Sequence, residues 1–157
     1  ERTFQLMRQV AGRAGRADKP GVAVLQTHQP EHPVIGAILG GDEDAFWQTE
    51  AREREAAGVP PYGRLVGIVL SSPDAQEALN VGQVMARNCS PLTKIGAEVF
   101  GPAPAPIARV RGRHRVRLLV KASKTAPIQV ALTEWTAMFK LPNSLKLSID
   151  IDPQSFY

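Results

Sequence analysis

Leu145, Leu147, Ile149 and Ile151 alternate with Lys146, Ser148, Asp150 and Asp152. Successive side chains of a strand point to opposite faces, so this segment is a strand with one apolar face and one wet face. It needs a sheet to join and a layer to cover it. Upstream, Leu65 to Leu70 reads as a strand, and Ser72-Pro73 as the cap of a helix with Pro at its first position. Ala75, Ala78, Leu79, Gly82, Met85 and Ala86 then form one apolar stripe at helical spacing. Glu98-Val99-Phe100 reads as a short strand, and Pro102, Pro104 and Pro106 stiffen the approach to a hairpin around Gly112. Ile128, Ala131, Leu132, Trp135, Met138 and Phe139 share one face of a second helix. The order strand, helix, strand, strand, helix, strand predicts an α+β sandwich of the split βαβ kind, with the helices on one face of the sheet.

The first part of the chain reads differently. Glu1 to Met7 is helical in pattern, Lys19-Pro20-Gly21 a turn, and Val22 to Thr27 a short buried strand. Val34 to Leu39 predicts a short helix, and Asp42 opens a longer one that Gly58 closes. Phe46 and Trp47 read as packing anchors rather than a base-stacking platform, because an acidic helix follows them. Gly58 to Gly63, with two prolines and no periodicity, is the best boundary. The expected division is 1–58, a linker at 59–63, and a domain over 64–157.

Between Glu98 and Glu134 there is no acidic residue, and into that gap fall Arg109, Arg111, Arg113, Arg115, Arg117, Lys121 and Lys124. The arginines hold odd positions and Val110, Val116, Leu118 and Val120 even ones, which on a strand separates charge from aliphatic packing. With Gly112-Arg113-His114 as the loop, Arg111 would oppose Arg115, and Arg109 would oppose Arg117. Like charges directly opposite destabilise a sheet, so a polyanion is expected to offset them. The bland reading is a solvated basic face. Aromatics do not interleave these arginines, so backbone tracking is expected and base stacking is not.

Gln9-Val10-Ala11-Gly12-Arg13-Ala14-Gly15-Arg16 places two arginines three residues apart beside glycines. Such permanently charged forks suit a phosphoryl group in transfer. No glycine-rich phosphate loop of the G-x-x-x-x-G-K-[ST] type occurs, so this chain by itself is not expected to hydrolyse ATP. His28, His32 and His114 lack ligand spacing, and Cys89 is the one cysteine, so no metal site and no disulfide framework are expected. Asp150 and Asp152 read as a solvated face rather than paired catalytic carboxylates. The 157 residues carry 19 Lys+Arg against 15 Asp+Glu, a mild net charge of +4 that alone is weak support for nucleic acid. Neither a signal peptide nor an apolar run of membrane-spanning length is seen, which makes a soluble, cytoplasmic protein the expectation. A start inside a motif, without Met, favours a piece of a longer protein.

The Gln9 to Arg16 pattern resembles motif VI of superfamily 2 helicases. The order of Gly101-Pro102-Ala103-Pro104-Ala105-Pro106, Arg111-Gly112-Arg113 with Arg115, Pro60-Pro61-Tyr62 and the closing Asp150-Ile151-Asp152-Pro153 resembles the C-terminal portion of bacterial replication-restart primosomal helicases over essentially all 157 residues. The resemblance implies an α/β remnant of the second motor lobe, where Val22 to Thr27 would be a sheet strand. It further implies a C-terminal domain similar to a small ribosomal protein. It implies a 3′-to-5′ DNA helicase that recognises stalled forks and assembles a primosome, with cytoplasmic, nucleoid-associated localisation. Gln9, Gly12, Arg13 and Arg16 would face ATP and its Mg, the arginines as fingers. Arg109, Arg111, Arg113, Arg115 and Arg117 would bind forked DNA. Lys124 and Gln129 would contact the acidic tail of single-stranded-DNA-binding protein. Structural zinc would belong to a region absent here. The alternative is a stand-alone basic module binding nucleic acid or an acidic tail, with no enzymatic role.

Overall fold

A computed structural model of the chain describes residues 2–14 and 21–153. It divides into two compact units, 1–53 and 54–157.

In the first unit, α1 (Arg2–Ala11), α2 (Pro33–Gly40) and the body of α3 (Glu43–Ala57) surround a small aromatic core. Asp42 caps α3 by accepting the Ala45 N–H at 2.9 Å. Phe4 and Phe46 are buried and stacked, their ring centroids 4.0 Å apart, and Trp47 meets both edge-on. Phe46 and Trp47 are therefore packing anchors, as the sequence predicts. Arg8 lies over the Phe4 ring, 6.0 Å from its centroid, and pairs with Glu43. The strand expected over Val22 to Thr27 is not formed. Val22 and Val24 are 87% and 89% exposed, and no other described segment of this unit is a strand. A strand without a ladder partner leaves its backbone groups to water.

The second unit follows the predicted order: β1 (Gly63–Ser72), α4 (Ala75–Arg87), a short α5 (Ser90–Lys94), β2 (Glu98–Val110), β3 (Arg113–Ser123), α6 (Ile128–Ala137) and β4 (Lys146–Ile151). The sheet is antiparallel in the order β2-β3-β1-β4, the split βαβ arrangement. Val66, Ile68 and Leu70 of β1 and Val116, Leu118 and Val120 of β3 point to one face. There Val66, Ile68, Leu70, Leu118 and Val120 form one core cluster with Met85 of α4 and Ile128, Leu132 and Trp135 of α6. Trp135 is fully buried, and its indole N–H donates to the carbonyls of Asn88 at 2.9 Å and Met85 at 3.3 Å. It thereby ties α6 to the end of α4.

Several details depart from the expected picture. Asp74, not Ser72, caps α4, accepting the Gln76 N–H at 2.8 Å, because β1 continues through Ser72. The buried Ser72 hydroxyl bonds the Glu77 carboxylate instead, which also accepts the Ser144 hydroxyl at 2.8 and 2.9 Å. Met138 is 52% exposed, since α6 ends at Ala137 and the helical spacing ends with it. Asp152 is not merely a solvated charge. Its carboxylate accepts the Leu65 N–H at 3.0 Å and pairs with Arg64 at 2.7 Å, and its own N–H donates to Leu65 at 2.7 Å. The Asp-x-Asp-Pro ending thus fastens β4 to the start of β1.

Candidate nucleic-acid interface

The β2–β3 hairpin turns through Arg111 (φ 49°) and Gly112 (φ 77°), with Val110 opposite Arg113. Two positive φ values in a two-residue loop match the right-handed twist of the flanking strands. This corrects the expected loop at Gly112-Arg113-His114. Arg109 opposes His114, not Arg117, and Arg111 lies in the turn rather than opposite Arg115. Across β3, Arg115 faces Ser71, while Arg117 faces Val69 on one side and Ala103 on the other. The like-charge pairs do not exist, so no polyanion is needed to relieve them.

The arginines are also not on one face. The register slips between Phe100 and Ala103, and again between Pro104 and Arg109. Such bulges shift which side chains face which way. Arg109 shares its face with His114, while Arg113, Arg115 and Arg117 lie on the opposite face. Arg109 and Arg111 are exposed at the tip. Arg113 is committed internally: its guanidinium donates to the Ser71 hydroxyl at 3.0 Å, to the Ser71 carbonyl, and to the Ser144 carbonyl at 2.6 Å. It anchors the hairpin to β1 and to the loop before β4. Arg113→Ala is expected to lower stability by about 1.5 kcal/mol or somewhat more, since three acceptors lose a charged donor. Urea unfolding of the variant measures this, and Arg113→Lys should restore only part, lacking the planar fork.

The remaining candidates are dispersed. Lys124 and Gln129 are exposed, in the turn after β3 and in the first turn of α6. In the first unit, Gln9 is exposed in the last turn of α1. Gly12 closes that turn, its N–H donating to Arg8 at 2.9 Å, and Arg13 follows with an exposed side chain. Arg16 lies outside the described residues. Among the described residues no cluster of three or more His, Cys, Asp or Glu could hold a metal ion, and no helix is long and apolar enough to cross a membrane.

What sequence reasoning missed is the sheet face away from the helices. Gly67, Val69, Phe100, Arg115, Arg117 and Asp150 line a depression there of about 500 Å3. The signal was present in the phase of β2: Val99 packs on the core, so Phe100 faces the other way.

A model of the primosomal protein N C-terminal domain matches residues 55–154, the whole of the sheet and its helices. The chain belongs to this family. Relatives extend the match into the first unit. The replication restart protein PriA of Rickettsia felis is 38% identical over 157 residues, covering 100% of this chain and 24% of that protein. PriA of Synechocystis sp. is 37% identical over 155 residues, 99% of this chain and 18% of that protein. PriA of Bacillus subtilis is 33% identical over 160 residues, 98% and 19%. The chain therefore spans between 18% and 24% of the length of these curated relatives. In the primosomal protein N C-terminal domain described here, the hairpin tip carries Arg109 and Arg111, and the outer sheet face carries Arg115, Arg117 and Phe100.

Proposed function

We propose that this chain is the fork-DNA-binding end of a replication restart helicase, and that the tip of the β2–β3 hairpin tracks the phosphate backbone of branched DNA. The observation that carries this reading is the exposed pair Arg109 and Arg111, on a two-residue turn, inside a stretch from Glu98 to Glu134 without an acidic residue. Fixed cations on a narrow, protruding ribbon suit a groove edge and bind without reading base sequence. The names of the relatives, replication restart protein, support the same process. Because they match the motif-bearing first unit as well, a stand-alone binding module is not favoured.

In the full-length protein, Gln9, Arg13 and Arg16 would face the γ-phosphate of ATP bound with Mg elsewhere. Arg13, exposed just after the Gly12 turn, is suited to that role by charge and reach. ATP hydrolysis, unwinding and any zinc would be functions of the longer protein. Lys124 and Gln129 would take the acidic tail of single-stranded-DNA-binding protein, and other primosome proteins would assemble nearby.

Fluorescence anisotropy of the chain with a forked DNA and a flush duplex, each titrated with salt, tests the hairpin. Arg109→Ala with Arg111→Ala is expected to weaken both and to flatten the plot of log affinity against log salt by roughly 1.8, two released phosphate contacts. Binding that is absent at low salt, or unchanged in the double variant, overturns the proposal.

A further inference from the structure

The outer face of the sheet is hollow at its centre for a reason in the chain. Gly67 sits in the middle of the interior strand β1, between Leu119 of β3 and Asp150 of β4, and contributes no side chain. Glycine weakens a strand interior, and there it often marks a place where a ligand comes close. Phe100 stands at the rim. Its pairing with Leu119 turns it to the same face, where it is 46% exposed. Its orientation is held by the next residue. Gly101 has φ 97°, and a Cβ there would lie 2.8 Å from the Arg117 carbonyl oxygen, so only glycine permits the bulge that follows Phe100.

Around this hollow the chemistry is graded. Phe100 and Leu119 offer a flat apolar side, Arg115 a cation, and Ser148 and Asp150 hydrogen-bond acceptors across the floor. A planar heterocycle with ring N–H groups and an attached phosphate matches all three. An acidic peptide offers neither a flat ring to lie on Phe100 over a glycine floor nor a ring N–H for Asp150 to accept. A paired base in a duplex is stacked on its neighbours and cannot enter.

We infer that the hollow over Gly67 seats one unpaired base of a single-stranded nucleic acid, stacked on Phe100, with Arg115 directed to its phosphate. Exposed aromatics on a four-stranded sheet are a known means of holding single strands. The inference rests on the proposed DNA contact of the hairpin and extends it: the tip holds backbone, and the sheet selects what is unpaired. The sequence argues against stacking because no aromatic lies among the arginines, but the strand pairing places Phe100 beside them.

Binding of the 157-residue chain to a polythymidine strand and to a flush duplex, by anisotropy at fixed salt, tests it. Phe100→Ala is expected to weaken the strand roughly 5- to 150-fold, the equivalent of one lost stacked base, and to leave the duplex unchanged. Phe100→Tyr should keep the strand affinity. Gly67→Val, which suits a strand and fills the hollow, should lose it with Phe100 intact. Thermal melting of each variant confirms that it folds. Strand affinity unchanged in both Phe100→Ala and Gly67→Val overturns the inference. So does a poly-glutamate peptide whose binding alone depends on Phe100. If Arg109→Ala with Arg111→Ala weakens the duplex while Phe100→Ala changes nothing, the hairpin reading stands and this one falls. If the chain binds neither probe at low salt, both fall.

Discussion

Trp135→Ala is expected to lower the thermal midpoint of the second unit by about 12 °C or more. The side chain has no exposed surface and joins α6 to α4 through its indole N–H. It also packs edge-on against Phe139, with ring centroids 6.0 Å apart. Truncation removes the buried ring, leaves a cavity the surrounding helices cannot fill, and strips donors from the Asn88 and Met85 carbonyls. Buried Trp to Ala changes cost about 3–5 kcal/mol, a large share of the total stability of a domain, about 5–15 kcal/mol. For a unit of this size each kcal/mol moves the midpoint by roughly 4 °C or more. Trp135→Phe keeps most of the volume and should recover more than half of the loss. The Met85 carbonyl still accepts the Asn88 N–H at 3.2 Å, which limits the damage. Thermal and urea unfolding check both variants. A fall of under about 1 kcal/mol for Trp135→Ala would show that α6 is not held to α4 through this residue.

Gly63→Ala is expected to be comparably severe, for a reason unrelated to apolar burial. After α3 the backbone turns through Gly58 (φ 59°), with Val59 donating to Arg54 at 3.0 Å and both Tyr62 and Gly63 donating to Val59, at 2.9 and 3.1 Å. Arg54 in turn donates to the Pro60 carbonyl at 3.1 Å. These bonds bring the start of β1 so close to Gly58 that a Cβ on Gly63 would lie 2.0 Å from the Gly58 carbonyl oxygen and 3.1 Å from that of Ala122. Both obstacles are backbone, so relief requires the turn or the β1–β3 ladder to move. A loss of more than about 2 kcal/mol is expected in urea unfolding. By contrast Gly96→Ala meets open space, and its penalty should come only from its positive φ of 73°. Equal losses at the two positions would show that the turn yields and that the close approach is not what requires glycine at 63.

The sequence alone determined the order of elements in the second unit, the anchoring roles of Phe46 and Trp47, and the buried centres of the α4 and α6 faces, but not their ends: Ala75 and Met138, expected on those faces, are exposed. The elements and faces rest on local periodicity, since apolar residues recurring at helical or strand spacing allow one packed arrangement, and the two anchors on the acidic charge of the helix that carries them. It also carried the family, through motifs whose order runs the length of the chain. It could not determine anything that depends on pairing between strands. Val22 to Thr27 has a strand's composition but finds no ladder. At its tip the hairpin register is shifted by three residues from the local expectation, Arg109 meeting His114 instead of Arg117, because the loop closes at Arg111-Gly112. An odd shift reverses faces, so it separates Arg109 from the other arginines and removes the expected like-charge pairs. Arg113 cannot be told from its neighbours by spacing, yet its partners Ser71 and Ser144 lie 42 and 31 residues away in sequence. Phe100 joins Arg115 at one hollow only because two bulges and a central glycine bring three strands together there. Periodicity is written residue by residue, whereas register and proximity arise from closing loops of tens of residues, and only the tertiary structure decides how those loops close.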